Sequence, residues 1–254
     1  MGRGKKAADA EAVLFKRLYG VKPDTFKKML SILQREYGVL HRKGGKPSKL
    51  TAEDKRYSAL TYLREYRTMD RIAAEYGVCK GTVCLSIQWV EDTLIKDGTF
   101  ALPEKKVLKR IAPSIQYIVV DVTESPINRP KEGQKEYYSG KKRHTLKTQV
   151  IIERGSLEII DVQEAKGSEH DFKVYKDTIG KGISNSIPLD ADLGYLGIQA
   201  YHANSFIPVK SSKNHQLSGE EKAYNREVSG RRVVIEHMNA KIKTFRCMSY
   251  PYRG

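Results

Sequence analysis

The sequence predicts an α/β domain with a mixed β-sheet, preceded by a domain built only of α-helices. Through the first hundred residues, apolar side chains recur every three or four positions, which is the period of amphipathic helices. After Pro103 the pattern changes to short β-branched runs, the first being IQYIVVDV at 115–122. The later order of three strands, helix, two strands and a long final helix indicates a mixed sheet whose first three strands form a meander.

Two amphipathic helices are predicted within residues 11–37, separated by the turn GVKP at 20–23. Their apolar faces consist of Leu14, Leu18, Phe26, Met29, Leu30 and Leu33. The segment HRKGGKP at 41–47 is cationic and rich in glycine, so it fits either a solvated linker or a strap along phosphates.

Three more helices are predicted next, and the last two have the order of a helix-turn-helix. Thr51 followed by Asp54 predicts the capped start of a helix that ends near residue 67. The second helix begins near Asp70 and breaks at Gly77, and the third begins near Lys80. In such a motif the start of the third helix faces bases in the major groove, although the same shape also serves as a plain packing unit. The residues expected to face bases are Lys80, Thr82 and Ser86.

The second half supplies the strands and two helices. Strands are predicted at 115–122, 146–153, 157–162, 187–189 and 206–209. Ser168 is expected to cap a helix that ends near residue 179, and His170 and Asp171 are assigned to capping and helix-dipole interactions. A final helix with an interruption is expected from about Gly219 to Met248. The predicted domains are 1–105, with the helix-turn-helix at about 52–97, and 106–254.

Composition narrows the class of protein. The chain has 254 residues, with 46 Lys and Arg against 30 Asp and Glu, and its net charge of +16 favours a polyanionic partner such as nucleic acid. Ribosomal and membrane-surface proteins are basic too, so charge alone does not decide. No apolar run approaches the roughly 20 residues of a membrane span, and no secretory signal is recognisable, so the protein is expected in the cytoplasm.

Two further classes of site are not expected. The three cysteines include no Cys-x-x-Cys pair, so neither a disulfide framework nor a zinc site is indicated. No Gly-x-x-x-x-Gly-Lys-Ser/Thr loop occurs, so no nucleotide cofactor is predicted.

Acidic residues are the candidates for chemistry. Asp121 is predicted at the end of a buried strand, where an unpaired carboxylate costs several kcal/mol unless a cation or hydrogen-bond donors compensate it. Asp190 and Asp192 follow the strand at 187–189, and one of them could face Asp121. Glu236 lies in the last helix beside an apolar stripe. Carboxylates suit Mg²⁺ or Mn²⁺, and three of them suit a two-ion phosphodiester site.

Cations accompany these acids. On a helical wheel Arg232, Glu236 and Lys243 fall within about 40° of each other, offset from the apolar stripe by roughly 120°. This pattern fits phosphate-gripping cations around a catalytic acid, but spacing alone favours a surface Arg–Glu pair. The segment 129–147 interleaves cations with aromatic residues, which fits either an exposed basic hairpin or a grip on DNA backbone and bases. Its central cations are Lys141, Lys142 and Arg143.

Four segments together resemble one family. They are REYRTMDRIAAEYGVCKGTVCLSIQWVEDTL, VDVTESPINRPKEGQKEYYSGKKRHTLKTQVII, ADLGYLG and RRVVIEHMNAKIKTFRCM. These segments resemble the DDE transposases of bacterial insertion sequences, specifically the insertion-sequence-five group and its Harbinger-like relatives. The resemblance spans about residues 48–250.

The resemblance implies an RNase-H-like catalytic domain. It places the catalytic, metal-binding acids at Asp121 on the first strand, Asp192 just after the fourth strand and Glu236 on a late helix, with two Mg²⁺ or Mn²⁺ ions. Asp192 carries over rather than Asp190 because it begins the Asp-Leu-Gly-Tyr-x-Gly segment. The family's basic residues four before and seven after the glutamate are matched by Arg232 and Lys243.

One departure from related groups is Ser229, which stands where they have a tyrosine. It puts in doubt how the terminal phosphate is held, but leaves the three acids unaffected.

The activity implied is DNA transposition. Such a protein binds the terminal inverted repeats of its element, frees a 3′-hydroxyl and joins it to target DNA, as a homodimer or larger assembly on nucleoid DNA. Two alternatives stay open: a domesticated DNA-binding regulator, and a metal-dependent endonuclease that does not transpose.

Overall fold

The computed structural model describes residues 2–42, 44, 46–102, 114–178 and 183–252, with side chains from residue 11 onward. The chain forms two compact units. The first extends to Ala101 and includes Lys243–Ser249, and the second comprises Leu102–Ile242 and the residues from Tyr250. The predicted boundary near residue 105, the predicted helix end at residue 179 and parts of the segment 41–47 lie outside the described residues.

The first unit is helical. Its helices are α1 (Gly2–Tyr19), α2 (Pro23–His41), α3 (Ala52–Glu65), α4 (Met69–Tyr76) and α5 (Lys80–Lys96). Thr51 and Asp54 form the predicted capping box at the start of α3. Gly77 ends α4 with a φ of 61°, a left-handed conformation that glycine adopts without steric cost. The predicted helix-turn-helix is therefore confirmed as α4 and α5.

The apolar face of α1 was predicted one position away from where it lies. Leu14 and Leu18 are 56% and 55% exposed, so their assignment to the packed face is wrong. Phe15 and Tyr19 pack instead, with ring centroids 4.9 Å and 5.2 Å from that of Phe26. Clustering of the large aromatic rings decides which side of the helix is buried.

The second unit is built around one mixed sheet. Its strands are β1 (Ile118–Pro126), β2 (Thr145–Glu153), β3 (Ile159–Lys166), β4 (Leu189–Asp190) and β5 (Ser205–Phe206). Their order is β3-β2-β1-β4-β5, with antiparallel pairing among the first three and parallel pairing of β4 with β1 and β5. The predicted fold class, an RNase-H-like mixed sheet preceded by a helical domain, is confirmed.

Helices cover both faces of the sheet. The unit has a short helix α6 (Gln134–Tyr137) in the hairpin between β1 and β2, and the helices that cover the sheet are α7 (Asp171–Thr178) and α8 (Gly219–Lys243). On one face the core includes Val120, Ile151 and Tyr175 of α7, and on the other it includes Val119 and Ile235 of α8. No helix in the described part of the chain has the length and apolarity to cross a lipid bilayer.

Two local predictions are corrected and a third is confirmed. Asp121 lies within β1 and not at its end, because pairing with β2 continues to Pro126. Ser168 does not cap α7, since its hydroxyl donates to the Glu136 carbonyl at 2.6 Å and α7 begins at Asp171. The interrupted final helix is confirmed: α8 ends at Lys243 and, after a break, a short 3₁₀ helix follows at Arg246–Met248.

Candidate active site

Asp121 and Asp192 are half-buried, whereas Glu236, the third predicted acid, is exposed. Asp121 lies on the face of β1 that α8 covers, and its side chain is 18% exposed. Two residues of α8 contact it: Asn239 Nδ2 donates to Oδ2 at 2.9 Å, and Arg232 Nη2 lies 3.5 Å from Oδ1. Burial raises the pKa of Asp121 to about 6; Arg232 opposes this shift, and the charge of Asp192 adds to it.

Asp192 lies two residues beyond β4. Its Oδ1 accepts the Gly194 N–H at 2.8 Å and caps the short 3₁₀ helix Leu193–Tyr195. A Cβ on Gly194 would lie 2.9 Å from Asp192 Oδ1 and equally 2.9 Å from Asp171 Oδ2. Only glycine, which lacks a Cβ, lets both carboxylates come this close to the backbone.

Asp190 has a different role. It is the last residue of β4 and is fully buried, and both of its oxygens contact the Arg231 guanidinium at 3.0 Å. The Tyr117 hydroxyl donates to it at 2.9 Å. Burial, followed by this contact with Asp190, raises the pKa of Tyr117 to about 12. Asp190 is therefore satisfied within the protein and ties the end of β4 to α8.

Glu236 is exposed on α8, at a helix position between Arg232 and Asn239. Among the described residues, no three His, Cys, Asp or Glu side chains are grouped closely enough to hold a metal ion. The structure thus brings Asp121 within electrostatic reach of Asp192, but it does not complete the predicted set with Glu236. Arg232 is 12% exposed and pairs with Asp121, so the surface Arg–Glu pair that spacing favoured is not formed.

The donors at this site fit a divalent metal ion. Asp121 and Asp192 supply carboxylate oxygens, which suit Mg²⁺ and Mn²⁺. Asn239 Oδ1 is buried without a hydrogen-bond partner, and its amide nitrogen already contacts Asp121. A buried acceptor without a donor is costly unless a bound group satisfies it. Gly194, which has no side chain, lets the carboxylates of Asp192 and Asp171 both approach its backbone closely.

The three residues predicted to contact bases differ in their exposure to solvent. Lys80 is exposed as the first residue of α5. Thr82 is half-buried, with its hydroxyl 3.2 Å from Cys79 Sγ. Ser86 is 4% exposed and donates to the Thr82 carbonyl at 2.6 Å, so its assignment to base contact is wrong.

Helical spacing explains the error at Ser86. It lies three residues after Val83 and four before Val90, within the buried stripe of α5. Leu85, which is 68% exposed, and the exposed Gln88 occupy the outer face instead.

The basic hairpin between β1 and β2 presents its central cations to solvent. Lys141, Lys142 and Arg143 are all exposed, beyond a bridge between Tyr138 and His144. The same segment forms an open pocket of about 440 Å³. It is lined by Arg129, Gln134, Lys135, Tyr138 and His144. Lys243, the other predicted phosphate-binding residue, is the last residue of α8 and belongs to the helical unit.

Two residues near the acids were not predicted as site residues. Asn239 is a direct partner of Asp121, and its spacing of seven residues from Arg232, two helical turns, was the available signal. Asp171 was assigned to helix capping, yet its carboxylate faces Gly194. No local pattern links Asp171 to Asp192.

Comparison with known proteins agrees with this architecture. Residues 120–254 match the family model described as DDE superfamily endonuclease, and residues 48–100 match the helix-turn-helix of DDE superfamily endonuclease. A probable transposase for insertion sequence element IS702 from Microchaete diplosiphon is 39% identical over 251 residues, covering 98% of this chain and 90% of the relative.

Two more distant proteins are also similar. A putative transposase for insertion sequence element IS112 from Streptomyces albus G is 24% identical over 231 residues, covering 90% of this chain and 83% of the relative. The cryo-EM structure of a piggyBac transposase synaptic complex with hairpin DNA is 10% identical, with a TM-score of 0.42, covering 95% of this chain and 70% of that one.

The helix-turn-helix unit and the mixed-sheet unit that follows it, each matched by its own family model, define a class of DNA-processing nucleases. Within that class, the chain belongs to the DDE superfamily endonucleases, the family that includes insertion-sequence transposases. Members of this family generally use divalent metal ions.

Proposed function

We propose that this protein binds the terminal inverted repeats of its own element, cuts the DNA beside them to free 3′-hydroxyls and joins these ends to target DNA. The observation that carries the proposal is the environment of Asp121. This carboxylate lies within a strand and is largely buried. The negative charge of Asp192 also acts on it. Such an arrangement costs folding free energy, and a divalent cation bound between the acids would recover it.

The proposed catalytic and metal-binding acids are Asp121, Asp192 and Glu236. Together they would bind two ions, Mg²⁺ or Mn²⁺. These residues would hold the ions, which would supply activation of the attacking water or 3′-hydroxyl and stabilisation of the leaving oxygen. Asn239 and Arg232 fix the orientation of the Asp121 carboxylate through their contacts with its two oxygens. Arg232 also brings a guanidinium to the site, and this group can pair with a DNA phosphate.

DNA contacts are proposed on both units. Lys80 and Thr82 at the start of α5 would meet the repeat in the major groove. The exposed hairpin cations Lys141, Lys142 and Arg143, together with Lys243, would contact phosphates. Pairing two element ends requires at least two copies of the chain, so we propose a homodimer or larger assembly on nucleoid DNA in the cytoplasm. We propose no nucleotide cofactor. The joining step exchanges one phosphodiester bond for another and so needs no outside source of energy.

The test is cleavage of supercoiled plasmid that carries the element's ends, with Mg²⁺. Wild-type protein should nick the DNA at the ends, whereas Asp121→Asn, Asp192→Asn and Glu236→Gln should bind the ends and fail to cut. The control Glu132→Gln alters an exposed acid of the hairpin and should cut normally. Normal cutting by all three acid variants would reject the site. Binding without nicking by the wild type would indicate a regulator, and cutting that ignores the ends would indicate a non-transposing endonuclease.

A further inference from the structure

An ion pair beside the proposed metal site joins β2 to α7. Lys147 of β2 is 12% exposed, and its ammonium group donates to Asp171 Oδ1 at 2.8 Å. The same nitrogen donates to the Glu169 carbonyl at 2.6 Å. These two bonds hold the first turn of α7 against the sheet and fix the position of the Asp171 carboxylate.

The second oxygen of Asp171 faces the loop that carries Asp192. Asp171 Oδ2 and Asp192 Oδ1 are both 2.9 Å from the point where a Cβ on Gly194 would stand. The two carboxylates therefore converge on one small space. Lys147 contacts only Oδ1 of Asp171, so the oxygen on the side of Asp192 keeps its capacity to accept hydrogen bonds or bind a cation.

A purely structural role does not account for this arrangement. An acid at the start of a helix interacts favourably with the free N–H groups of the first turn, and an ion pair with lysine adds to that effect. Neither role requires the Asp192 carboxylate beside Asp171, because two like charges this close repel each other. A cation held by Asp192 would be attracted by both carboxylates.

We propose that Asp171 is a fourth acid of the divalent-cation site, held in place by Lys147, and that it contributes directly to metal affinity. This inference rests on the proposed function, because it requires that Asp121 and Asp192 bind the cation. It adds a residue that the family resemblance did not assign.

The experiment measures Mn²⁺ binding to the full-length protein without DNA, by the electron paramagnetic resonance signal of free Mn²⁺. Asp171→Asn is expected to weaken binding on the order of tenfold, as changes close to metal ligands typically do. The matched control is Asp177→Asn, which removes the same charge from the same helix. Asp177 also pairs with a lysine, at 2.8 Å, but its side chain is 58% exposed. The control should bind Mn²⁺ like the wild type.

Folding is checked by thermal melting without metal. If Asp171→Asn melts at a lower temperature, Asp171→Ser provides a second variant, because serine can serve at a helix start. Weakened Mn²⁺ binding by a variant that melts normally supports the proposal. Wild-type affinity in Asp171→Asn or Asp171→Ser, with Asp121→Asn weakened, overturns it and leaves the proposed function intact. Equal Mn²⁺ binding by wild type, Asp121→Asn and Asp192→Asn would instead reject the metal site itself, and the inference with it.

Discussion

Replacing Asp121 with asparagine is expected to stabilise the metal-free protein. Burial raises the pKa of this carboxyl group from 3.8 to about 6. Between about pH 4 and pH 6 the folded protein therefore keeps a proton that the unfolded chain has lost, so its stability falls as the pH rises through this window. Above pH 7, this shift of the Asp121 pKa corresponds to a loss of about 3 kcal/mol in the free energy of unfolding. Asparagine is uncharged and still offers Asn239 an acceptor, so the variant avoids this cost.

The assay is urea unfolding followed by circular dichroism in EDTA, at pH 4 and pH 8. Asp121→Asn should exceed the wild type by up to about 3 kcal/mol at pH 8 and by less than about 1 kcal/mol at pH 4. Glu132→Gln, at an exposed position, should track the wild type at both values. If Asp121→Asn is no more stable than the wild type at pH 8, the buried charge is not costly and the reasoning is refuted.

Three other substitutions test separate parts of the structure. Gly194→Ala places a carbon 2.9 Å from two carboxylate oxygens, so it should lower Mn²⁺ affinity and cleavage. The control Gly230→Ala, whose added carbon meets nothing within 4 Å, should change neither. Equal effects of the two substitutions would contradict the role given to Gly194. Asp190→Asn should cost about 3–5 kcal/mol in urea unfolding because it removes the buried partner of Arg231, and an unchanged midpoint would be the contrary result. Lys80→Ala should reduce by about 1 the slope of log DNA affinity against log salt, and an unaltered slope would place Lys80 away from phosphates.

The parts of the fold that sequence predicts well are those set by local chemistry. The capping pair Thr51 and Asp54 and the helix end at Gly77 were readable because each depends on residues within one turn. The errors arose where packing between elements decides. Periodicity alone did not show that α1 packs through Phe15, since aromatic contacts with Phe26 select that side. Ser86 looked accessible by chain position, although its helical spacing puts it in the buried stripe.

The site was predictable only in part. Motif resemblance predicts Asp192 rather than Asp190 as the second acid. The structure is consistent with that prediction, because Asp190 is paired with Arg231 while the Asp192 carboxylate lies beside Gly194 with that of Asp171. Asn239 is 118 positions away from Asp121 in the sequence, and Asp171 meets the Asp192 loop across different elements. Such partners are set by strand order and helix placement, which spacing does not encode.

The most direct test of the central claim is anomalous X-ray scattering from a crystal of the protein with Mn²⁺ and DNA carrying its element's end. Manganese peaks bonded to carboxylate oxygens of Asp121, Asp192 and Glu236 are expected. Manganese bound elsewhere, or peaks at the first two acids with the Glu236 carboxylate directed away from them, would contradict the claim.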